Sequence, residues 1–512
     1  MTVFYNIAIY LYRLAVIILS PFNKKAGLWY RGRKGFFRRW KDFNPGGRRV
    51  IWMHCASLGE FEQGRPVIEK LKEREADVFI LLTFFSPSGY EIRKDYPLAD
   101  AVCYLPADTP ANAAKFVKTF GPDMAVFVKY EFWYNYISRL NTNNIPLYLI
   151  SANFRKDQIF FRWYGKWFAG ILHMFSHIFV QSDDSRKLLN SLGAEQVSVA
   201  GDTRFDRVYD LQRQIREIPA ADAFSAGNFT VVAGSTWPAD HDLLVKFMNE
   251  TRHKIKLIIA PHEINEDQIV KLESQFNDLT VRYSDVAKAL QADNSPGEAS
   301  PPEAAPPEAS TYTSGPANDN QPEAVAPEDE FPETGKPESD TLESDTLETD
   351  KPESDTLETD TLETDTLETG PSKTRSSEAA DNKTGSPDAD LVMSSVLIID
   401  NIGLLSSLYA YGKIAYVGGG FGKGIHNILE ACTHGIPVIF GPNYRKFREA
   451  RVLAETGGAF PVRNYRELAG RADQLISDKE KLHIAGSTAE NYVKNNTGAS
   501  RIIIDKILSP RN

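Results

Sequence analysis

Two acidic residues in the first half of the chain follow apolar runs that predict buried strands. Glu60 comes three residues after Ser57, directly behind the run Val50–Cys55, and Glu131 stands at the end of a second such run. Polar residues at the carboxyl ends of parallel strands point into the crevice where such sheets bind ligands. A carboxylate there could remove a proton from a hydroxyl group. Local roles remain open, because Ser57 and Glu60 fit a helix capping box and Glu131 could form an ion pair with Lys129.

Arg204 is a candidate for handling negative charge. It follows the predicted strand Val197–Ala200. A guanidinium group stays protonated, so it could stabilise charge that builds on a departing phosphate group. It could equally pair with its neighbours Asp202 or Asp206, and the sequence does not separate these roles.

The glycine-rich stretch Tyr416–Arg448 organises the second half of the chain. Five glycines occur in Gly418–Gly424, and a helix is predicted for Asn427–His434. The backbone N–H groups of such a loop and the helix N-terminus can approach an anion closely. A glycine-rich turn without a ligand is the alternative. His426 and Glu430 at the predicted helix start favour a nucleotide or sugar-phosphate site, in which the segment from Gly420 onward would meet the phosphate.

Two series of short apolar strands are needed to position these residues. The first series is Val50–Cys55, Val78–Phe84, Met124–Val128, Leu147–Ser151, Ile178–Gln181 and Val197–Ala200. The second is Thr230–Ala233, Lys256–Ala260, Val281–Tyr283, Val396–Ile399, Ile414–Val417 and Ile436–Phe440. Strands that are apolar on both faces are typical of parallel sheets covered by helices. The sequence therefore predicts an α/β protein with two Rossmann-like domains facing a cleft.

The first 49 residues are apolar and then basic. Residues 3–22 are mostly apolar around Arg13, and residues 1–49 hold 11 basic and 1 acidic side chains. Aromatic residues alternate with these cations, a pattern that suits the headgroup layer of an anionic membrane. We expect a membrane anchor whose basic flank keeps the remaining chain on the cytoplasmic side. A buried helix with a solvated basic loop is the alternative, and whether the segment spans the membrane or lies on its surface stays open.

The net charge of −10 is unevenly distributed. Residues 293–390 carry 27 acidic and 5 basic side chains, so the remaining chain has a net charge of +12. This acidic segment is rich in Pro, Glu, Ser and Thr, repeats an ESDTLETD-type unit over 338–369, and cannot bury a core, which predicts disorder. A solvated tether is the favoured role, and a tail that binds a basic partner is the alternative. Three scattered cysteines argue for a reducing compartment.

Composition and strand pattern predict six regions. They are an anchor with its basic flank (1–48), a first Rossmann-like domain (49–206), a hinge (207–228), a second Rossmann-like domain (229–286 and 392–484), a disordered acidic insert (287–391) and a C-terminal helix (485–512).

Several ordered motifs resemble those of the 3-deoxy-D-manno-octulosonic acid (Kdo) transferases, which begin the inner core of lipopolysaccharide. The motifs are His54–Glu60, Val128–Trp133, Ser151–Arg155, Gly201–Asp206 and Gly418–Pro442. The resemblance implies a GT-B glycosyltransferase at the cytoplasmic face of the inner membrane. It implies inverting transfer of Kdo from CMP-Kdo to a lipid A precursor of the lipid IVA type, with no metal, no other cofactor and no nucleic acid partner.

The resemblance also implies roles for individual residues. Glu60 matches the general base of the family, and Glu131 and Arg204 match positions that stabilise the transition state. The segments that match CMP contacts are Pro261 and His262, then Ile402, Gly403 and Leu404, then Asn427, Ile428, Leu429 and Glu430. Three positions depart from the family pattern, which often has Arg at Pro261, a polar or acidic residue at Leu404, and Lys at Arg204.

Two other functions are compatible with the sequence. One is another membrane-associated GT-B enzyme, such as a lipid-linked hexosaminyl transferase or a sugar-nucleotide epimerase. The other is a membrane-tethered scaffold whose acidic repeat recruits a basic partner.

Overall fold

The structure is a computed structural model that describes residues 1–276, 280–293 and 394–509. Most of the predicted acidic insert lies outside the described residues. Within them, two seven-stranded parallel sheets form, each covered by helices on both faces. The prediction of an α/β fold with two parallel sheets is confirmed.

Three helices precede the first sheet. They are α1 (Thr2–Leu19), α2 (Lys24–Arg33) and α3 (Phe36–Arg39). α1 is long and apolar enough to cross a membrane, with 18 residues and a mean hydropathy of 1.8. None of its side chains is buried.

The first sheet has the strand order β3-β2-β1-β4-β5-β6-β7. Its strands are β1 (Val50–Cys55), β2 (Phe79–Phe84), β3 (Ala101–Tyr104), β4 (Met124–Val128), β5 (Leu147–Ala152), β6 (His177–Val180) and β7 (Val197–Val199). Its helices are α4 (Leu58–Arg74), α5 (Pro87–Arg93), α6 (Pro110–Phe120), α7 (Tyr134–Thr142), α8 (Lys166–Leu172) and α9 (Asp183–Asn190), with a 3₁₀ turn at Ile159–Phe161. Along β1, alternate side chains enter separate hydrophobic clusters on the two faces of the sheet.

The second sheet has the order β10-β11-β9-β8-β12-β13-β14, which differs from the first because β11 inserts between β9 and β10. Its strands are β8 (Phe229–Thr236), β9 (Ile255–Pro261), β10 (Thr280–Arg282), β11 (Val396–Ile398), β12 (Ile414–Val417), β13 (Val438–Phe440) and β14 (Ala459–Pro461). The helices from the connection onward are α10 (Arg204–Gln212), α11 (Pro219–Ser225), α12 (Pro238–Glu250), α13 (Glu266–Glu273), α14 (Tyr283–Asp293), α15 (Leu405–Leu408), α16 (Leu429–Cys432), α17 (Arg448–Thr456), α18 (Tyr465–Ser477), α19 (Lys479–Asn495) and α20 (Ala499–Leu508), with a 3₁₀ turn at Tyr409–Tyr411.

Each sheet has a central reversal point, where the chain crosses to the other side of the first strand of that sheet. In the first sheet this point lies between β1 and β4, and in the second between β8 and β12. Parallel sheets bind ligands at such points because the loops on either side diverge and leave a crevice. The chain therefore offers two candidate crevices, one in each half.

The last helix returns to the first half of the molecule. α19 packs into the core of the second sheet, but Ile503, Ile504 and Ile507 of α20 pack against the first sheet beside α4. The carboxylate of Asp206 accepts hydrogen bonds from the backbone amides of Gly498 and Ser500 at the start of α20. The two halves are thus joined twice, by the connection after β7 and by the C-terminal helix.

Two strands and two helices differ from the sequence prediction. The C-terminal helix predicted for 485–512 is two helices, because α19 already begins at Lys479 and the left-handed Gly498, with a φ of 103°, separates it from α20. The edge strands β3 and β14 were not predicted; both are short, and β14 ends in a proline, which is typical of an edge strand. The helix predicted for Asn427–His434 is wrong in extent, because α16 covers only Leu429–Cys432. The backbone amide of His426 instead bonds the Gly418 carbonyl, 3.1 Å away, which keeps the chain folded back over the glycine loop.

Candidate active site

Glu60 lies in the first turn of α4, directly behind β1 and therefore at the reversal point of the first sheet. It is half-buried, and Ser57 is the N-cap residue of the helix. The hydroxyl of Ser57 donates to the Glu60 carboxylate, and no side-chain capping bond forms. Ser57 is thus the N-cap residue, but the hydrogen bonds of a capping box between these side chains and the helix backbone do not form. The Glu60 carboxylate is held instead by the Ser57 hydroxyl.

Glu131 lies on the other side of the same reversal point, behind β4, and is 8% exposed. Its Oε2 lies 3.0 Å from Nε2 of His54 and accepts a bond of 2.5 Å from the indole N–H of Trp133. His54 is fully buried in β1, and its Nδ1 lies 2.8 Å from the hydroxyl of Thr83 in β2. The alternative ion pair with Lys129 is not formed. Three strands together fix this carboxylate.

Arg204 forms contacts in both halves of the molecule. Its Nε and Nη2 donate to Oδ2 of Asp202 at 2.9 and 2.8 Å, and its Nη1 lies 3.2 Å from Oε1 of Glu449 at the start of α17. Burial alone would lower the pKa of Arg204, but the two carboxylates outweigh it and raise that pKa. The alternative pairing with Asp202 is confirmed, whereas Asp206 caps α20 instead.

Helix α4 links Arg204 to Glu60. One turn after Glu60, the amide of Gln63 donates to Oδ1 of Asp202 at 3.1 Å, and the hydroxyl of Thr203 donates to the Gln63 carbonyl at 2.6 Å. Burial would raise the pKa of Asp202, but Arg204 and these hydrogen bonds lower it overall, so the carboxylate stays ionised. The guanidinium is therefore fixed relative to the helix that carries Glu60.

The glycine loop follows β12, at the reversal point of the second sheet. The amide of Gly418 bonds the Gly234 carbonyl at 2.9 Å, and that of Gly419 bonds Oδ2 of Asp240 at 2.9 Å. The amides of Gly422 and Gly424 bond the Gly419 carbonyl at 3.0 and 3.3 Å. These amides are engaged inside the protein, so less of the loop can face an anion than the sequence predicts.

Close packing explains part of the glycine content. A Cβ atom on Gly420 would lie 2.6 Å from the backbone of Gly441 in the loop after β13. A Cβ atom on Gly418 would lie 2.3 Å from the Ser235 carbonyl oxygen. At Gly422 the nearest atom would be 3.6 Å away, an ordinary contact. The end of β8 and the loops after β12 and β13 thus meet backbone to backbone.

Three aromatic rings stack beside this loop. The His262 ring lies 4.7 Å from Trp237 and 4.3 Å from His426, with interplanar angles of 26° and 29°. The indole N–H of Trp237 donates to Nε2 of His426 at 3.0 Å. Burial and the neighbouring His262 lower the pKa of His426, while Asp240 opposes them. His426 is therefore neutral at pH 7, and its other ring nitrogen carries the proton.

In the segment from Asn427 to Glu430, the two middle side chains are buried in the core and the two outer side chains bond each other. Ile428 and Leu429 are at most 1% exposed and belong to the core of the second half, so only their backbone groups can reach a ligand. The side-chain amide of Asn427 donates to the Glu430 carboxylate at 3.0 Å, and its side-chain oxygen accepts a hydrogen bond from the backbone amide of Leu429 at 3.2 Å. Burial raises the pKa of Glu430, although the Asn427 amide opposes the shift.

The remaining predicted donor contacts lie at two strand ends. Pro261 ends β9, directly before His262. Ile402 is 84% exposed, Gly403 has a left-handed φ of 90°, and Leu404 is the N-cap of α15. All three come shortly after β11, which pairs with β9, so both groups lie at the same edge of the second sheet.

The structure adds four residues that the sequence did not single out. His54 contacts Glu131, and Glu449 contacts Arg204. Trp237 bonds His426, and Asp240 bonds the backbone amide of Gly419. Trp237 could have been found because it follows a strand of the second series at the same edge as His262. The other three are joined to their partners only by tertiary contacts. No group of three or more metal-ligating side chains occurs among the described residues.

Two parallel α/β halves, with acidic residues at one reversal point and a glycine loop at the other, define a protein of the GT-B fold class. The UDP-GlcNAc 2-epimerase from Neisseria meningitidis bound to UDP-GlcNAc has this fold, with a TM-score of 0.51, 13% identity, and coverage of 90% of this chain and 99% of that one. At such low identity the likeness shows the fold alone.

Sequence comparison narrows this class to one family. Residues 30–207 match the family model for 3-deoxy-D-manno-octulosonic-acid transferase (kdotransferase). The 3-deoxy-D-manno-octulosonic acid transferase of Aquifex aeolicus is 23% identical over 447 residues, which is 86% of this chain and 90% of that protein. The transferase of the same name from Bordetella pertussis is 21% identical over 509 residues, 94% of each chain. The resemblance is therefore confirmed: residues 30–207 form a Kdo transferase family domain, and most of the chain aligns with glycosyltransferases of this kind, which act in lipopolysaccharide synthesis.

Proposed function

We propose that this enzyme transfers Kdo from CMP-Kdo to a lipid A precursor of the lipid IVA type, with inversion at the anomeric carbon. The observation that carries the proposal is the position of its acid–base and donor residues at the two reversal points. Glu60 and Glu131 flank one point, the glycine loop and the stacked rings flank the other, and Arg204 contacts both halves.

In the proposed reaction Glu60 acts as general base. A hydroxyl oxygen of the acceptor attacks the anomeric carbon of Kdo while Glu60 takes the hydroxyl proton. The bond from that carbon to the phosphate oxygen breaks on the opposite face, and its electron pair leaves with CMP. Attack opposite to the leaving group inverts the configuration. The Ser57 hydroxyl, which bonds the carboxylate, orients it for this step.

Arg204 and Glu131 stabilise the transition state in this proposal. Arg204 is held by Asp202 and Glu449, so its charge is fixed in place before the reaction. A preorganised charge needs no rearrangement when negative charge builds on the phosphate. Glu131, buried and held by His54 and Trp133, would stabilise positive charge that develops on the sugar ring.

The second half would bind the donor. Pro261 and His262 present a ring platform for the cytosine base, and Ile402, Gly403 and Leu404 close the neighbouring edge. Glu430, held by Asn427, would accept hydrogen bonds from the ribose hydroxyls. Ile428 and Leu429 would contribute backbone groups only, and Gly420 would let the nucleotide approach the loop. We assign 229–286 and 392–484 as the donor domain and 49–206 as the acceptor domain, with 207–228 as the hinge between them.

The acceptor is a membrane lipid, so the first half should face a membrane. The outward side of α1 exposes large apolar side chains, among them Phe4, Leu11 and Leu14, whose exposed fractions are 71%, 60% and 53%. The opposite side contacts the first domain through Tyr5 and Asn6. We therefore propose that α1 lies in the surface of the inner membrane on its cytoplasmic face, with the basic flank on anionic headgroups.

Replacement of Glu60 by Gln tests the proposed reaction. General base catalysis contributes about 10²–10⁴ in rate, so kcat should fall by about that factor while the thermal unfolding curve is unchanged. The assay combines CMP-Kdo with a tetraacylated lipid A precursor, and the products are identified by mass spectrometry. The control is Glu69→Gln, which changes the same kind of side chain on α4, in a surface ion pair with Arg65. A near-normal rate for Glu60→Gln would exclude it as the base.

A further inference from the structure

A basic pocket lies between the three N-terminal helices and the carboxyl end of β3. Its volume is about 390 Å³. We define the basic pocket by Arg13, Trp29, Arg33, Lys34 and Arg38, which line it together with several apolar side chains. No acidic residue lines it. Cations on three separate helices and their connections thus converge on one space.

The charges of this pocket have no counter-ions in the part of the protein that the structure describes. Among the described residues, none of the four cations forms an ion pair. The Nε and Nη2 of Arg33 each donate at 2.7 Å, to the carbonyls of Leu105 and Phe85. Burial lowers the pKa of the Arg33 guanidinium to about 9, since only tyrosines and a cysteine, and no carboxylate, oppose the effect. A cation without a counter-ion in a half-buried site favours the binding of an anion.

Trp29 in the pocket wall is also incompletely satisfied. The side chain is 5% exposed, and its indole N–H is buried without a hydrogen-bond partner. Its ring lies under the guanidinium of Arg33, 3.9 Å from the ring centroid. Buried N–H groups are nearly always paired in folded proteins. The N–H group itself has almost no accessible surface, so the part of this wall that a ligand can meet is the Trp29 ring with the Arg33 guanidinium stacked on it.

The surroundings of the pocket identify the kind of anion. Ile17 of α1 lines the pocket, and Leu14 and Ile18 on the same helix are exposed, so apolar surface continues outward from the cations. On the inner side, the ring of Phe85 lies 4.6 Å from the ring of Trp133, whose indole bonds Glu131. The ring of Phe85 also lies 5.0 Å from the guanidinium of Arg33, so the rings of Phe85 and Trp133 separate the pocket from Glu131, and a lipid-compatible surface lies on the other side of the pocket.

We propose that the basic pocket binds a phosphate group of the lipid acceptor, whose acyl chains follow the outward side of α1. This assignment rests on the proposed transfer to a phosphorylated lipid. It names a specificity site of the acceptor half that is separate from Glu60, Glu131 and Arg204. Bulk anionic phospholipid offers the same chemistry, and the test distinguishes the two sources.

The variant Arg13→Gln/Arg38→Gln tests the proposal, because both side chains are exposed and the fold does not depend on them. The variant Lys24→Gln/Lys25→Gln is the matched control, with the same loss of charge at exposed positions of the same segment that do not line the pocket. KM and kcat are measured with the tetraacylated acceptor and with the same acceptor after its phosphates are removed. Binding to phosphatidylglycerol vesicles is measured in parallel.

We expect the pocket variant to raise the KM for the phosphorylated acceptor about tenfold or more, with kcat nearly unchanged. Its KM for the dephosphorylated acceptor should equal that of the wild type, and the control variant should alter neither KM. An equal rise for both acceptors, or an equal effect of the control, would overturn the proposal. Weaker vesicle binding with an unchanged acceptor KM would overturn it in favour of bulk phospholipid.

Failure of the proposed function would be visible separately. If the wild type makes no Kdo product, equilibrium binding of the phosphorylated lipid to wild-type and variant protein replaces KM as the measurement. A tenfold weaker binding by the pocket variant would still support the pocket, and equal binding would exclude it.

Discussion

The side chains at the candidate site are fixed by partners that are distant in sequence. Glu131 is held by His54, 77 positions away, and His426 by Trp237, 189 positions away. Each of these bonds removes a rotamer choice and sets which atom of a ring carries a proton. The sequence identifies the acidic residue or the histidine, but its chemical state depends on these contacts.

Trp237→Phe should raise the pKa of His426. The indole N–H donates to Nε2, which stabilises the unprotonated ring, and phenylalanine keeps the aromatic stack without that donor. The pKa should move toward the ordinary value of about 6.5 and be measured by NMR titration of the His426 ring. Trp163→Phe, at a side chain that is 93% exposed, is the control and should leave it unchanged.

The sign of the accompanying stability effect follows from linkage. The pKa of His426 in the folded state is below its unfolded value, so the unfolded chain binds the proton first as pH falls. The contribution of His426 to stability is therefore complete above about pH 6.5 and is lost as pH decreases. In Trp237→Phe this loss should be smaller. A steeper loss in the variant, followed by urea unfolding between pH 7.5 and 5, would contradict the assigned hydrogen bond.

Helix α1 shows how one element can serve two surfaces. Its partly buried positions lie on one side of the helix and face the protein; they are Thr2, Tyr5, Asn6, Ile9, Val16 and Ile17. Tyr5 donates to Asp108 at 2.6 Å. The apolar side chains between them face outward. Because a helix places residues three and four apart on one side, the same 18 residues both dock on the protein and expose a lipid-compatible surface.

A cross-link can test whether α1 stays docked in the membrane. The side-chain amide of Asn135 donates to the Asn6 oxygen at 2.9 Å, so a short bis-methanethiosulfonate reagent should bridge the cysteines of Asn6→Cys/Asn135→Cys in membrane-bound protein. The three native cysteines are buried, which keeps the background low. Ile7→Cys/Asn135→Cys is the control, since Ile7 is 50% exposed on the outward side and should not cross-link. Mobility on a non-reducing gel reports the result.

The opposite outcome has a clear structural meaning. If the Asn6/Asn135 pair cross-links in detergent but not in the membrane, α1 leaves the protein surface there. A helix that spans the bilayer would require that separation. The proposal that α1 lies in the membrane surface would then be wrong.

At the scale of the whole molecule, the two halves are joined by polar contacts and by α20. Arg204 bridges to Glu449, and the guanidinium of Arg448 donates to the Gln181 carbonyl at 3.4 Å. The polar contacts can break and re-form with little exposure of apolar surface, whereas the packing of α20 on the first sheet cannot. We therefore expect any closure around substrates to pivot on the side of the molecule where α20 packs.

The acidic segment can be removed to test its role. Replacing residues 296–384 by a short Gly/Ser linker should leave kcat/KM within about twofold and the melting temperature nearly unchanged. The flanking elements are already fixed, because β10 pairs with β11 and the Asp400 carboxylate accepts bonds from the backbone and hydroxyl of Ser284. The entropy of closing a loop changes by only about 0.6 kcal/mol for each doubling of its length.

A scrambled segment of the same length and composition is the control for this replacement. Loss of activity with the linker, but not with the scrambled sequence, would show that the charge or bulk of the segment matters. Loss with both would show a sequence-specific role and would favour the scaffold alternative over a solvated tether.

Local pattern accounted for much of the fold. The apolar runs gave β1, β4 and β12 at their observed bounds, since a strand that is buried on both faces has few polar residues to blur its ends. The edge strands β3 and β14 were missed because their short runs are stabilised by the neighbouring strand rather than by their own pattern. The helix after the glycine loop was predicted to begin at Asn427 but begins at Leu429. The hydrogen bond from the His426 backbone amide to the Gly418 carbonyl keeps the preceding residues in a turn.

The sequence by itself determined the class of fold, the order of the elements and the strand ends at which the candidate residues stand, because these follow from apolar periodicity and turn residues along a contiguous chain. Only the tertiary structure decided which side chains meet. It brought His54 to Glu131, Arg204 to Glu449 and Trp237 to His426, and it closed the basic pocket around Arg33. Such contacts depend on how strands order themselves and how helices pack, and no local pattern in the chain specifies them.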